Sequence, residues 1–349
     1  KGKAQGRAQG EVAPVLAIDQ IASCNSYALS QLFHSFPTRI GATFLLTKNQ
    51  PMQVILGAGG AIGRPLAQHL TSYTKDIRLV SRKPEKVNET DQLHPADLMD
   101  KEAVHAAVEG ASVAYLTVGL PYNKHIWQQQ WPVLMNNVLA ACAANEVKLV
   151  FFDNMYLYDP HHLDGMDEHT PIGPVSVKGR VRAMIAQAFW EAVEQGRIEG
   201  VITRAADFMG THNAQPYETI IKNLAAGKKA MWIGRKDKVH NFTYDEDAAK
   251  AVAEIGNTPS AFGRVWHLPS TQQRWTIQEW VQGFAKALDV EPRLRVLPVS
   301  MLGLIGLFVP ILREMKEMAY QNNRDYYFDS SAFTRQFGWS ATAEEKIIQ

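Results

Sequence analysis

The stretch VILGAGGAIGRPLAQHL, residues 54–70, constrains the fold more than any other part of this 349-residue chain. A short apolar run, fit for a buried strand, leads directly into four glycines and then into a segment with helical apolar spacing. Strand, glycine turn and helix in that order form a phosphate cradle, because a helix N-terminus offers unpaired N–H groups and a positive dipole end. The spacing is Gly57, Gly60 and Gly63 with Gly59 as an extra, a G-x-x-G-x-x-G pattern; a G-x-G-x-x-G pattern starting at Gly57 meets Ile62 instead of glycine. Gly57, Gly59, Gly60, Ala61, Ile62 and Gly63 are therefore the expected phosphate-binding turn.

The rest of the chain repeats the theme. Short apolar runs at 53–56, 77–80, 93–97, 112–117, 148–153 and 200–204 alternate with amphipathic segments at 61–73, 100–109, 127–144 and 176–195. Alternation of this kind predicts an α/β fold: a Rossmann doubly wound parallel sheet whose ligand lies beyond the carboxyl ends of its strands. After about residue 210 the rhythm breaks, leaving a helix at 247–256, a strand in GRVWHL and a helical C-terminal region. The expected organisation is a dinucleotide-binding domain over 52–210 with 240–270 packing back on it, and a smaller substrate lobe from 211–239 and 271–349. Residues 1–51 lack sustained periodicity and are read as an extension, either non-native or a targeting segment, ahead of Met52.

The second strand decides which dinucleotide. An acidic residue at its end accepts from a ribose 2′-hydroxyl, whereas a cation there receives a 2′-phosphate. Here the strand runs into Ser81, Arg82 and Lys83, and the acid Asp76 precedes the strand, at its wrong end. NADP(H) is the expected cofactor, with NAD(H) as the alternative.

Charge and cysteine content narrow the partners. With 36 Lys and Arg against 35 acidic residues the net charge is +1, which provides no field selecting nucleic acid or an anionic membrane. A small-molecule substrate is the expected partner. Cys24 and Cys142 supply no disulfide framework and no metal-ligand spacing, in keeping with a cytoplasmic protein. The run LPVSMLGLIGLFVPIL, residues 297–312, is shorter than the roughly 20 residues a bilayer span needs and contains two prolines. It is read as a buried helix, with membrane-surface contact as the lesser reading.

Taken together, GAGGAIG, ADLMD (96–100), VFFDNMYLYD (150–159), ITRAADFMG (202–210), HNFTYDEDAAKAV (240–252) and YFDSSAFTRQFGW (327–339) resemble the extended short-chain dehydrogenase/reductase family, the NAD-dependent epimerase/dehydratase group. The resemblance implies that Asp97 and Leu98 contact the adenine and that Val118 and Gly119 line the cofactor. It also implies that Ala206, Asp207 and Phe208 border the nicotinamide, and that a homodimer forms through the helix holding Trp127 and Trp131. Family enzymes use a Ser or Thr after the fifth strand and a Tyr-x-x-x-Lys pair on the next helix. This chain departs from that pattern: Asn154 stands at the Ser/Thr position, Lys178 at the tyrosine and Arg182 at the lysine.

Three readings of Lys178 follow. It acts as acid and base itself while Asn154 holds a substrate oxygen, as in the isoflavone-reductase-like branch; or Lys178 and Arg182 only bind ribose and phosphate, in a non-catalytic NAD(P)-binding redox sensor; or both form a solvated helix face. The first, an oxidoreductase or epimerase-like enzyme acting on a carbonyl or alcohol group, is the leading expectation, with Tyr156 and Tyr158 as substitute proton donors. The segment DPHHLDGMDEHTP, residues 159–171, gathers histidines and acids without ligand spacing and is read as a loop bordering the substrate cleft, with no metal.

Overall fold

A computed structural model describes residues 51–210 and 214–349, so the amino-terminal extension lies, apart from Pro51, outside the described residues. Its first half is built from β1 (Gln53–Leu56), α1 (Gly63–Leu70), β2 (Ile77–Ser81), β3 (Gln92–Pro95), α2 (Lys101–Val108), β4 (Val113–Leu116), α3 (Lys124–Ala144) and β5 (Lys148–Asn154). Then follow β6 (Asp164–Met166), α4 (Val177–Glu194) and β7 (Gly200–Ala205). The later elements that matter for the site are β8 (Phe208–Met209), α5 (Lys222–Ala225), β9 (Ala230–Ile233), β10 (Thr243–Tyr244), α6 (Asp245–Gly256) and β11 (Val265–His267). After them come α7 (Ile277–Ala287), β12 (Leu294–Leu297), α8 (Leu302–Ile305), α9 (Pro310–Lys316) and β13 (Tyr327–Phe328).

Seven strands form one sheet in the order β11-β7-β5-β4-β1-β2-β3, so the strand in GRVWHL joins the six expected ones as an edge. All pairings are parallel, and Leu56, Leu116, Phe151 and Ile202 stand side by side in register. This alignment brings the loops after β1, β4, β5 and β7 to one edge.

Strand alternation sorts the core onto two faces. Val54, Leu56, Ala114, Leu116, Leu149 and Phe151 pack against α2, α3 and α4, burying Trp131, Val138, Val181 and Phe189. Ile55, Tyr115, Val150 and Val201 pack on the other side against Leu66 and Leu70 of α1 and Val252 and Ile255 of α6. Both faces of the sheet are covered, as a parallel sheet requires.

Helix starts follow local chemistry. Asp100 caps α2 by accepting from Glu102 and Ala103, Asn123 caps α3, Ser176 caps α4, and Thr276 with Glu279 forms a capping box on α7. No side chain caps α1, and Ala61 and Ile62 belong to the glycine turn ahead of it.

Two expectations are corrected. The apolar run 297–312 is not a buried helix: it breaks into the end of β12, a short 3-10 turn, α8 and the start of α9. Leu304, Leu307 and Phe308 are 66%, 72% and 83% exposed. Pro298 and Pro310 punctuate it, Pro310 starting α9 where a missing N–H costs nothing. Residues 159–171 also do not border the cavity described below, since β6 within them pairs with β13 instead. No helix among the described residues is long and apolar enough to cross a membrane.

Candidate functional site

The glycine turn is shaped by two close approaches. Gly57 has φ of +106°, and a Cβ there would lie 2.5 Å from the Val118 backbone after β4. A Cβ on Gly63 would lie 2.7 Å from Ala58, so the helix start is packed directly against the loop. Gly59, by contrast, faces open space. No side chain caps α1, and the N–H groups of Ala61, Ile62 and Gly63 ahead of and at its start have no backbone partner among the described residues, which is the geometry for an anion.

At the end of β2, Ser81 is half-buried, and Arg82 and Lys83 are exposed with no ion pair among the described residues. Asp76 lies at the other end of the strand, where its carboxylate accepts from Gln92. Asp97 is exposed after β3 and accepts from the Met99 N–H, Leu98 is buried beside it, and Val118 and Gly119 follow β4. The carboxyl-end positions named from the sequence therefore share one edge of the sheet.

Further along that edge lies a cavity of about 470 Å³. Asn154 and Tyr156 enter it from the end of β5, Ala206, Asp207 and Phe208 from the end of β7, and Tyr122 from the loop after β4. Asn154 uses its side-chain oxygen to accept the Tyr156 N–H at 3.2 Å. Its amide nitrogen has no partner among the described residues and is free to donate into the cavity.

Tyr122 and Tyr156 both line the cavity. Burial is the main cause that raises both phenols above their usual range; Tyr156 partly offsets it for Tyr122, while for Tyr156 the nearby Tyr122 and Asp207 add to it. Both are protonated at neutral pH.

Lys178 is brought beneath the cavity and does not line it. Its side chain is fully buried, and Nζ donates to Glu317 at 2.6 Å, to Glu314 at 2.8 Å and to the Glu314 carbonyl at 3.2 Å. The ammonium stands 4.3 Å from the centre of the Tyr122 ring, a cation–π contact that joins α4 to the wall of the cavity. Burial opposes ionisation of Glu314, but the Lys178 hydrogen bond and the Lys124 N–H outweigh it and hold its carboxyl below the ordinary range. The reading of Lys178 as part of a solvated helix face is thereby corrected, because the cation is dry and doubly paired.

Arg182 turns inward as well. It donates to Asp153 at 2.7 Å, and Arg204 grips the other Asp153 oxygen at 2.9 and 3.0 Å. Arg204 continues to the Tyr158 hydroxyl at 2.7 Å, and that hydroxyl meets His267 Nε2 at 2.6 Å. Desolvation first, and then the Arg204 charge, hold the His267 imidazole well below its usual pKa. Tyr158 is consequently a buried strut of this network, remote from the cavity lining, while Tyr156 faces the cavity. Asp207, also on the cavity wall, accepts from His240 at 3.0 Å and from Gln321 at 2.8 Å.

Sequence reasoning missed Tyr122, Gln321 and the Asp153–Arg204–His267 network. Tyr122 had a signal, an aromatic hydroxyl just beyond the carboxyl end of a strand. Gln321 had none, since it arrives from far along the chain.

A profile of the NAD dependent epimerase/dehydratase family matches residues 53–267, more than half of the chain, and the protein belongs to that family. Among curated relatives, the uncharacterized protein y4nL of Sinorhizobium fredii is 23% identical over 275 residues, covering 72% of this chain and 77% of that protein. The dTDP-6-deoxy-L-talose 4-dehydrogenase (NAD(P)(+)) of Kitasatospora kifunensis is 26% identical over 186 residues, 49% of this chain and 56% of its own length. Among solved structures, UDP-glucuronic acid 4-epimerase from Bacillus cereus in complex with NAD superposes with a TM-score of 0.70 at 14% identity, covering 85% of this chain and 96% of its own. The holo form of a GalE-like L-threonine dehydrogenase from Cupriavidus necator gives 0.68 at 16% identity over 85% and 97%. At these identities the structural likeness speaks to the fold.

Proposed function

We propose that this protein is an NADP(H)-dependent oxidoreductase acting at a carbonyl or alcohol carbon of a small molecule. The observation that carries the reading is the Tyr122–Tyr156–Asn154 cluster, protonated and donor-rich, on the sheet edge that also holds the glycine cradle. The residues present fit a dinucleotide: an open space over Gly59, an uncapped α1, and two unpaired cations at the end of β2 for a 2′-phosphate. Gly57, Gly59, Gly60, Ala61, Ile62 and Gly63 would hold the pyrophosphate, Ser81, Arg82 and Lys83 the adenosine ribose, and Asp97 and Leu98 the adenine. Val118, Gly119, Ala206 and Phe208 would border the rest of the cofactor. The chemistry a bound NADP(H) supplies is hydride exchange with the substrate carbon.

Within this reading, Asn154 donates to the substrate oxygen and the tyrosine pair delivers the proton that this oxygen takes up as the carbonyl is reduced. Lys178 acts through Tyr122. The cation–π contact holds the Tyr122 ring at the cavity wall, so the lysine sets where that phenol stands. The acid/base role expected for Lys178 passes in this way to the phenol it supports.

The locked state of Lys178 and Arg182 favours a second reading, a non-catalytic NAD(P)-binding redox sensor. One experiment separates the two: titration with NADPH and NADH, then a screen of ketones and aldehydes for NADPH consumption, with Y122F and Y156F as controls. Turnover abolished by either substitution supports the enzyme. Tight NADPH binding without turnover over a broad screen assigns the sensor, and absence of NADPH binding overturns both.

The assembly belongs to the same proposal. Val133 on α3 and Met184 on α4, 43% and 45% exposed, give the α3–α4 face apolar contacts for a homodimer. Cys142 is a free, buried thiol, in keeping with a reducing cytoplasm.

A further inference from the structure

The walls of the cavity carry a charge pattern that chooses among substrates. Among the described residues lining it there is no Lys, Arg or His, whereas Asp207 and Glu218 both face it. Lys178 does not alter the balance, since it lies behind Tyr122 and is opposed by Glu314 and Glu317. A phosphate is ordinarily received by guanidinium, ammonium or a row of N–H donors; Glu218 is half-exposed and paired with Lys222, but the largely buried Asp207 carboxylate on the wall repels it. Most of the remaining wall is apolar, with Phe208, Trp232, Phe242, Ile311, Met315 and Met318.

The mouth is apolar too. Ile311 and Met315 connect the cavity wall to the α8–α9 hairpin, where Leu304, Leu307 and Phe308 stand exposed. Clustered exposed side chains of this size mark a place where apolar surface is to be covered, and here the patch is continuous with the cavity.

We propose that the cavity receives an apolar, phosphate-free ketone or alcohol that enters over the α8–α9 hairpin, and that it excludes nucleotide-linked sugars. This rests on the oxidoreductase reading for the chemistry, but it concerns the recognition that precedes it. It also parts from the nucleotide-sugar relatives, whose names specify dTDP or UDP substrates.

The test is calorimetric titration of the full chain, saturated with NADP+, with octanone, octane and UDP-glucose. Octanone is expected to bind saturably and UDP-glucose neither to bind nor to displace it. L307K/F308K, both at exposed positions, is expected to weaken octanone and octane together and to leave NADPH affinity as it was. Binding of UDP-glucose in competition with octanone, or failure of octanone to bind, overturns the proposal. Failure of the cofactor reading is seen separately, as loss of NADPH binding in the same instrument.

Discussion

The two ends of the ligand-bearing sheet edge are built on opposite principles. The cradle is built of backbone: Gly57 and Gly63 are glycine because Val118 and Ala58 leave no room for a side chain, and no side chain caps α1. The cavity is built of side chains, Tyr122, Asn154, Tyr156, Asp207 and Gln321, gathered from the first half of the chain to near its end. A site made of backbone depends on local sequence and tolerates few substitutions. A site made of side chains can be rewritten: Lys178 and Arg182 are committed to ion pairs, while phenols reach the cavity from two other loops.

The contrast can be broken most severely at the cradle. Gly57→Ala places a Cβ against the Val118 backbone at a positive φ and should cost about 2–4 kcal/mol of stability, with cofactor binding lost, as read by denaturant melts and NADPH titration. Retention of wild-type binding would remove the claim that this end is sterically fixed. Lys178→Met leaves Glu314 and Glu317 buried without their cation and should destabilise by about 3 kcal/mol. Adding Glu314→Gln and Glu317→Gln should recover much of that loss, yet leave kcat low if Lys178 supports Tyr122. Recovery of kcat with stability would reduce the lysine to a clasp for the α9 hairpin.

Tyr122→Phe and Tyr156→Phe should each lower kcat by about a hundredfold with NADPH affinity intact, which separates the cavity from the cradle kinetically. Arg82→Ala should weaken NADPH about tenfold and NADH hardly at all; equal losses would refute the 2′-phosphate assignment.

The smallest effect concerns pH. His267 has a folded pKa well below its unfolded value, so the unfolded chain takes up a proton first as pH falls below about 6.5. Stability should therefore be constant above that pH and decline below it. His267→Gln should flatten that slope in thermal melts between pH 7 and 5, and an unchanged slope would place the titrating group elsewhere.

Much of the framework was legible in the sequence. Six of the seven main-sheet strands fall at or beside the expected runs; β1, β4, β5 and β7 are legible because a buried parallel strand demands an unbroken apolar stretch, whereas the edge strand β3 is largely exposed and gives a weak signal. The glycine turn, Ser81 to Lys83 and the placement of Asn154 and Phe208 follow from the same rhythm, since strand ends define where loops lie. The apolar run 297–312 was misjudged because hydrophobicity reports what must be covered and not by what. Pro298 and Pro310 broke the helix, and the pieces fold back with their apolar side chains outward.

The direction taken by Lys178 was decided by tertiary structure alone. Nothing within several turns of it supplies a carboxylate; Glu314 and Glu317 reach it from α9 and the residue just beyond, and their attraction in a dry setting outweighs exposure to the cavity. Local sequence sets backbone geometry, because glycine, proline and capping residues act over a few bonds. The charge environment of a buried group depends on which distant segments pack around it, and that is fixed only once the chain has closed on itself.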